Sequence, residues 1–195
     1  MRRRILEPDH PDVATALNNR AVILIAMRRF AEAAADLREV VSMYRSRLGP
    51  RHRWVPFALV NLASVSQSMG DLAAADSLYR AAQAIRDEIL PPDHPDRASP
   101  LIGRGEVLIE LGRPAEAEPL LREALRVREA ALDSSHWRVA QARSVLGEAL
   151  SRLGQREEAE RLLAAGLDGL AAGLGEESSN ARQARRRLDE HRRRN

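Results

Sequence analysis

Four of the five histidines of this chain stand at positions 10, 52, 94 and 136, one every 42 residues. Imidazoles are metal ligands and general bases, so a regular set of them is where chemistry would first be sought. A metal site needs its donors about 2 Å from one ion. Equivalent positions in stacked repeats lie at least one helix spacing apart, roughly 8–10 Å. The four histidines therefore cannot converge, and they read as groups that cap or pack the turns between repeats. The sequence holds no nucleophile–base pair, no phosphate loop and no HExxH motif. Gly103-x-Gly105 lies in a helical pattern and follows no strand, so it is not a dinucleotide loop. There is no cysteine, which excludes disulfides and thiolate metal sites. The expectation is a chain with no catalytic residue, no metal and no cofactor.

The elements around those histidines repeat with them. Leu90-Pro91-Pro92-Asp93-His94-Pro95-Asp96 is nearly a copy of Leu6-Glu7-Pro8-Asp9-His10-Pro11-Asp12. Weaker copies are Leu48-Gly49-Pro50-Arg51-His52 and Leu132-Asp133-Ser134-Ser135-His136, and Ser178 stands where a fifth histidine would fall. Between them runs one helical pattern, as in Leu59-x-x-Leu62-Ala63-x-x-Ser66 and Arg143-x-x-Leu146-Gly147-x-x-Leu150. A second helix comes next, with Ala33, Ala75, Ala117 or Ala159 three or four residues from its apolar neighbours. Met69-Gly70-Asp71, Leu111-Gly112-Arg113 and Leu153-Gly154-Gln155 join the two, with glycine in the left-handed cap position. The first unit has Met27-Arg28-Arg29 there, and its turn should be less stable.

A fixed period of this size predicts an all-α, right-handed solenoid rather than one globular core. Four repeats are expected at about 5–48, 49–90, 91–132 and 133–177, filling residues 1–177. Residues 178–195 should form a polar capping helix and a basic tail, with Ala181, Ala184 and Leu188 as its apolar contacts. The helices should run 11–27, 30–47, 54–69, 72–89, 96–111, 114–131, 137–153 and 156–173. Ser99 and Pro100 form a favoured helix start, so the fifth of these should begin near residue 100 or kink there.

Composition narrows the partner. All 31 basic residues are arginine, which reads as the bias of a GC-rich, bacterial genome. The net charge of +3 divides into basic ends, at Arg2–Arg4 and residues 182–194, and a body of charge −5. An acidic body argues against a nucleic-acid face along the repeats. Arg185–Arg187 and Arg192–Arg194 are the residues that could touch phosphates; the plainer reading is a solvated cap. The start carries no apolar stretch for a secretory signal, and no run is long enough to span a membrane. With the lack of cysteine, this places the chain in the cytoplasm. It opens inside a linker, as though cut from a longer array.

The spacing of Leu17-Asn18-Asn19, the Leu-Gly and Ala-x-x-x-Leu patterns, and Arg122-Glu123-Ala124-Leu125-Arg126-Val127-Arg128-Glu129 resemble the tetratricopeptide repeat. The 42-residue period and the Pro-Asp-His-Pro linker are similar to its kinesin light chain-like subtype. The resemblance implies a protein- or peptide-binding scaffold whose first helices line a concave groove. By position it puts Asn18, Asn19, Phe57, Asn61, Ser64, Glu106, Glu110, Glu148 and Arg152 in that groove. Asn19 and Asn61 fall where peptide-clamping members hold a backbone; they either do so here or bond within the solenoid. The slot continues as Gly103 and Val145, and the acids of the later repeats favour an extended segment carrying Lys or Arg. The alternative is a regulatory array of a larger bacterial signalling protein, of kinase or nucleotide-switch type.

Overall fold

The computed structural model describes residues 11–194, which form nine α-helices and no strand. His10 and Arg2–Arg4 lie outside the described residues. The helices are α1 (Pro11–Ala26), α2 (Phe30–Leu48), α3 (Trp54–Ser68), α4 (Leu72–Ile89), α5 (Ala98–Glu110), α6 (Pro114–Ala131), α7 (Trp137–Arg152), α8 (Arg156–Leu174) and α9 (Ser179–Arg194). None is long and apolar enough to cross a membrane.

The three periodic histidines among the described residues bond the backbone two residues on. Nδ1 of His52 accepts the Trp54 N–H at 3.3 Å, that of His94 the Asp96 N–H at 3.2 Å, and that of His136 the Arg138 N–H at 3.1 Å. The first N–H groups of a helix have no partner within it, and the imidazole supplies one. One start differs from the sequence expectation. Pro95–Arg97 makes a 3₁₀ turn after His94, and α5 begins at Ala98, without Ser99 as its cap. Pro100 is then the third residue of α5, where its missing N–H is one the helix would leave unbonded anyway.

The chain divides into two compact units at Ile89 and Leu90. In the first, α1 pairs with α2 and α3 with α4, while α2 packs on α3. Its core holds Ala21, Leu24, Ala33, Leu37, Val40, Val55, Leu59 and Leu62. In the second, α5 to α8 repeat that scheme, and α9 lies on α7 and α8. Ala117, Leu121, Val127, Leu146, Leu150 and Ala159 form its centre, and Ala140, Leu170, Ala181 and Ala184 the seam under α9. All four repeat alanines, Ala33, Ala75, Ala117 and Ala159, are fully buried.

Helix α8 approaches α7 along Gly166, Gly169 and Gly173, opposite Ser144, Ala140 and Trp137. A Cβ at residue 166 would stand 2.8 Å from the Ser144 nitrogen and 2.9 Å from its Cα. Only a bare backbone fits there.

The turn inside each pair is the same in both units. Gly70, Gly112 and Gly154 take φ of 82°, 73° and 78°. The next N–H returns to a carbonyl five residues back: Asp71 to Ser66 at 3.0 Å, Arg113 to Leu108 at 2.8 Å, Gln155 to Leu150 at 3.0 Å. Arg28 makes the first of these turns with φ 60°, and Arg29 bonds Leu24 at 2.8 Å. The left-handed region costs a residue with a Cβ about 1–2 kcal/mol, which the extra unfolded-state freedom of glycine partly offsets. Arg28→Gly should therefore stabilise the first unit by about 0.5–1 kcal/mol. Denaturant melts of the two proteins test this. A less stable variant would mean that the Arg28 contact over the Phe30 ring, at 6.0 Å, outweighs the backbone term.

Candidate functional site

In the first unit the amide-bearing residues meet between α1 and α3. Asn18 and Val22 are one turn apart on α1; Phe57, Asn61 and Ser64 succeed each other on α3, so each set shares a face. The Asn61 Nδ2 donates to Asn18 Oδ1 at 3.4 Å. A small recess of about 90 Å³ is lined by Asn18, Val22, Ile25, Asn61 and Ser64. Asn19 is exposed and bonds no other described residue; Phe57 is 43% exposed and stands edge-on to Trp54 at 6.0 Å. Asn61 thus bonds within the first unit.

The second unit is different. Glu106 on α5 and Glu148 on α7 come together, but their carboxylates are already held by an arginine of the same chain. Arg187 on α9 donates from Nη2 to Glu106 Oε1 at 2.7 Å and from Nε to Glu148 Oε2 at 2.6 Å. Its Nη1 reaches Ser144 Oγ at 3.4 Å, and Arg152 donates to the other Glu148 oxygen at 3.2 Å. The Arg187 side chain is only 9% exposed. Burial works against its charge, but the charges and hydrogen bonds of Glu106 and Glu148 outweigh that, and its pKa lies above the ordinary arginine value. Glu110 lies exposed at the end of α5. Nearby, Arg128 at the end of α6 is buried and donates to the Arg138 carbonyl and, at 3.1 Å, to Gln141 Oε1. Burial, helped by the charge of Arg138, pushes the Arg128 guanidinium down to about 10.

The arginines of α9 are exposed, as a solvated cap requires, except for Arg187. Arg187 is buried in the acid pair, Arg192 bonds Glu160 at 2.6 Å, and Arg185 and Arg194 pair with Glu176 and Glu190 at 3.6 Å. His191 is also buried, 2.7 Å from Ser151 Oγ. Arg187 is the residue that sequence reasoning missed. It falls one period after Val145, in the slot begun by Asn19 and Asn61. Its bond to Ser144 spans 43 residues, as does the bond from Asn61 to Asn18.

Models of the tetratricopeptide repeat match residues 13–53, 54–130 and 96–172. No curated protein matches the sequence. Among solved structures, repeats of a putative kinesin light chain from Podosopora anserina superpose with a TM-score of 0.75 at 21% identity. That likeness covers 96% of this chain and 88% of the other. BtubC (BKLC) from P. vanneervenii gives 0.73 at 17% identity, over 87% of this chain and 66% of that one. YrrB, described as a TPR protein with an unusual peptide-binding site, gives 0.53 at 18% identity, over 92% and 87%. The fold class is thus the α-solenoid of helix pairs, and the chain belongs to the tetratricopeptide repeat family, in a form similar to kinesin light chain repeats.

Proposed function

We propose that this chain is a protein-binding scaffold that holds an extended peptide segment on the α1–α3 face of its first unit. Tetratricopeptide repeats generally mediate protein–protein interaction. The observation that carries the finer reading is the set of amides at Asn18, Asn19 and Asn61 beside the exposed ring of Phe57 and the exposed side chain of Val22. An amide donates to a peptide carbonyl and accepts from its N–H, so it holds a backbone without reading its sequence. Phe57 and Val22 add apolar contact for one or two ligand side chains. The corresponding face of the second unit supports a basic ligand less well, because Glu106 and Glu148 are already bonded by Arg187. A Lys- or Arg-bearing segment would have to displace that arginine.

The test is an array of extended twelve-residue peptides, probed with the full chain and with the Asn19→Ala, Asn61→Ala double variant. Each lost bond is worth roughly 0.5–1.5 kcal/mol, so retained peptides should bind the variant about tenfold more weakly, whatever their side chains. Phe57→Ala should weaken only peptides with an apolar residue in register. Equal retention by the double variant would remove the first-unit face from consideration.

A further inference from the structure

A second surface of the first unit is made by α2, α3 and α4. A groove of about 430 Å³ lies there, its floor formed by Val41, Leu59, Leu62 and Leu78, its edge by Arg38 and Arg45. Both arginines are exposed and bond no described carboxylate. They are seven residues apart on α2, two helical turns or about 10 Å along its axis.

The equivalent positions of the second unit lie one double period, 84 residues, later, and there two ion pairs bridge the helices. Arg122 on α6, the counterpart of Arg38, takes both carboxylate oxygens of Glu158 on α8, at 2.9 and 3.0 Å. Glu129 on α6 accepts from Arg143 on α7 at 2.8 Å. The hydrogen bonds that Arg122 donates to Glu158 and then to Glu118 hold its pKa above the ordinary arginine range. In the first unit the position of Glu158 is Ala74, the position of Arg143 is Leu59, and the position of Glu129 is Arg45. Each bridge is thus broken by replacement. One carboxylate becomes a methyl, the other becomes a second cation, and the arginine beneath becomes leucine. What remains is an apolar trough with two unanswered positive charges.

We propose that this α2–α3–α4 groove docks an acidic amphipathic helix of a partner protein, with aliphatic side chains in the trough and two carboxylates seven residues apart on Arg38 and Arg45. The chain itself demonstrates the chemistry: Arg122 shows that an arginine at this place on the second helix takes a carboxylate end-on with both nitrogens. Two cations two turns apart ask for two separated anions, which a peptide helix supplies and a single-headed fatty acid does not. An apolar floor of four aliphatic side chains gives a nucleic-acid strand no ring to stack on.

Three labelled fourteen-residue alanine-based helices serve as probes, each with leucines on one face. They carry Glu, Gln or Lys at the two flanking positions seven apart. Fluorescence anisotropy with the full chain should find the Glu peptide bound, the Gln peptide at least about tenfold weaker and the Lys peptide unbound. Raising the salt should weaken the Glu peptide most. Arg38→Gln with Arg45→Gln should lose the preference for Glu over Gln. Ala74→Glu, which rebuilds the second unit's bridge in the acid-favouring first turn of α4, should close the groove and weaken the Glu peptide about tenfold. Melts of the variants verify that they are folded. Asn19→Ala with Asn61→Ala should leave this binding unchanged, which separates it from the face between α1 and α3. Failure of the Glu peptide to bind, equal binding of the Gln peptide, indifference to Ala74→Glu, or displacement by decanoate at its own affinity would each overturn the proposal.

Discussion

Arg187→Ala should cost the second unit about 3 kcal/mol, the range expected when one partner of a buried ion pair is removed. The size comes from what is left behind. Glu106 and Glu148, only 21% and 19% exposed, would face each other with no cation between them. The lost bonds are also those that fix the middle of α9, which otherwise rests on Ala181, Ala184, Leu188 and His191. Chemical denaturation of the full chain at neutral pH measures the loss. Adding Glu106→Gln and Glu148→Gln to the same chain removes the repulsion and should return about half of the stability. If the three changes together cost as much as the sum of their single effects, the cluster is not a coupled unit. Because the Arg187 pKa is raised in the fold, its contribution is fully present below the unfolded arginine pKa. It is lost only as pH rises through the still higher folded value. The loss on mutation should therefore be insensitive to pH between neutrality and mild alkali.

Freeing the two acids has a functional corollary. In the Arg187→Ala chain, Glu106 and Glu148 become open to a basic segment, and a Lys-containing peptide ignored by the natural chain should be retained. Such a result would make α9 an internal occupant of the acidic surface, in the place a basic ligand would take.

What could be read from sequence was whatever repeats. The helix pairs were legible because alanine, glycine and histidine recur at one spacing, and α4 and α6 run over the residues that the pattern sets out. Each of those residues acts locally: glycine in a turn, histidine on the N–H two residues on, alanine against its hairpin partner. The cap of α5 was misread because two local signals compete. Ser99-Pro100 is a good helix start, but His94 with Pro95 and Asp96 opens a 3₁₀ turn five residues earlier, and the helix grows directly from it. The acidic cluster was half legible. Glu106 and Glu148 occupy equivalent positions, so their meeting is a consequence of the period. Their partner lies 81 and 39 residues away on a helix whose composition is dominated by arginine. Nothing local separates Arg187 from its neighbours Arg185 and Arg186; only counting one more period to the slot of Asn19 does. The α2–α3–α4 groove is marked by what fails to repeat, Ala74 against Glu158 and Arg45 against Glu129, and a search for similarity passes over such differences.

Gly166→Ala should destabilise the second unit by about 2–3 kcal/mol, although alanine is the better helix former by about 1 kcal/mol. The sign is decided by what the new methyl meets. At residue 166 it would stand 2.8–2.9 Å from the nitrogen, Cα and Cβ of Ser144, which are backbone or fixed to it. Relief requires α8 to move away from α7, and neither neighbour along the seam can yield cheaply. Gly169 already sits where a Cβ would lie 2.6 Å from the Ala140 methyl, and Gly173 where it would lie 2.9 Å from the Trp137 Cβ. Moving the helix loosens the contacts of Leu163 and Leu170, both almost fully buried. Gly105→Ala is the control. Its methyl would also come too close, 2.5 Å from Leu121 Cδ2 and 2.7 Å from its Cγ, but the obstacle is a side chain and not the backbone of a neighbouring helix. The cost there should be smaller, about 1 kcal/mol or less once helix propensity is credited. Denaturant melts of the two variants side by side decide the matter. Should Gly166→Ala prove as stable as the natural chain, or less damaging than Gly105→Ala, the close backbone approach of α7 and α8 is not what these glycines are there to allow.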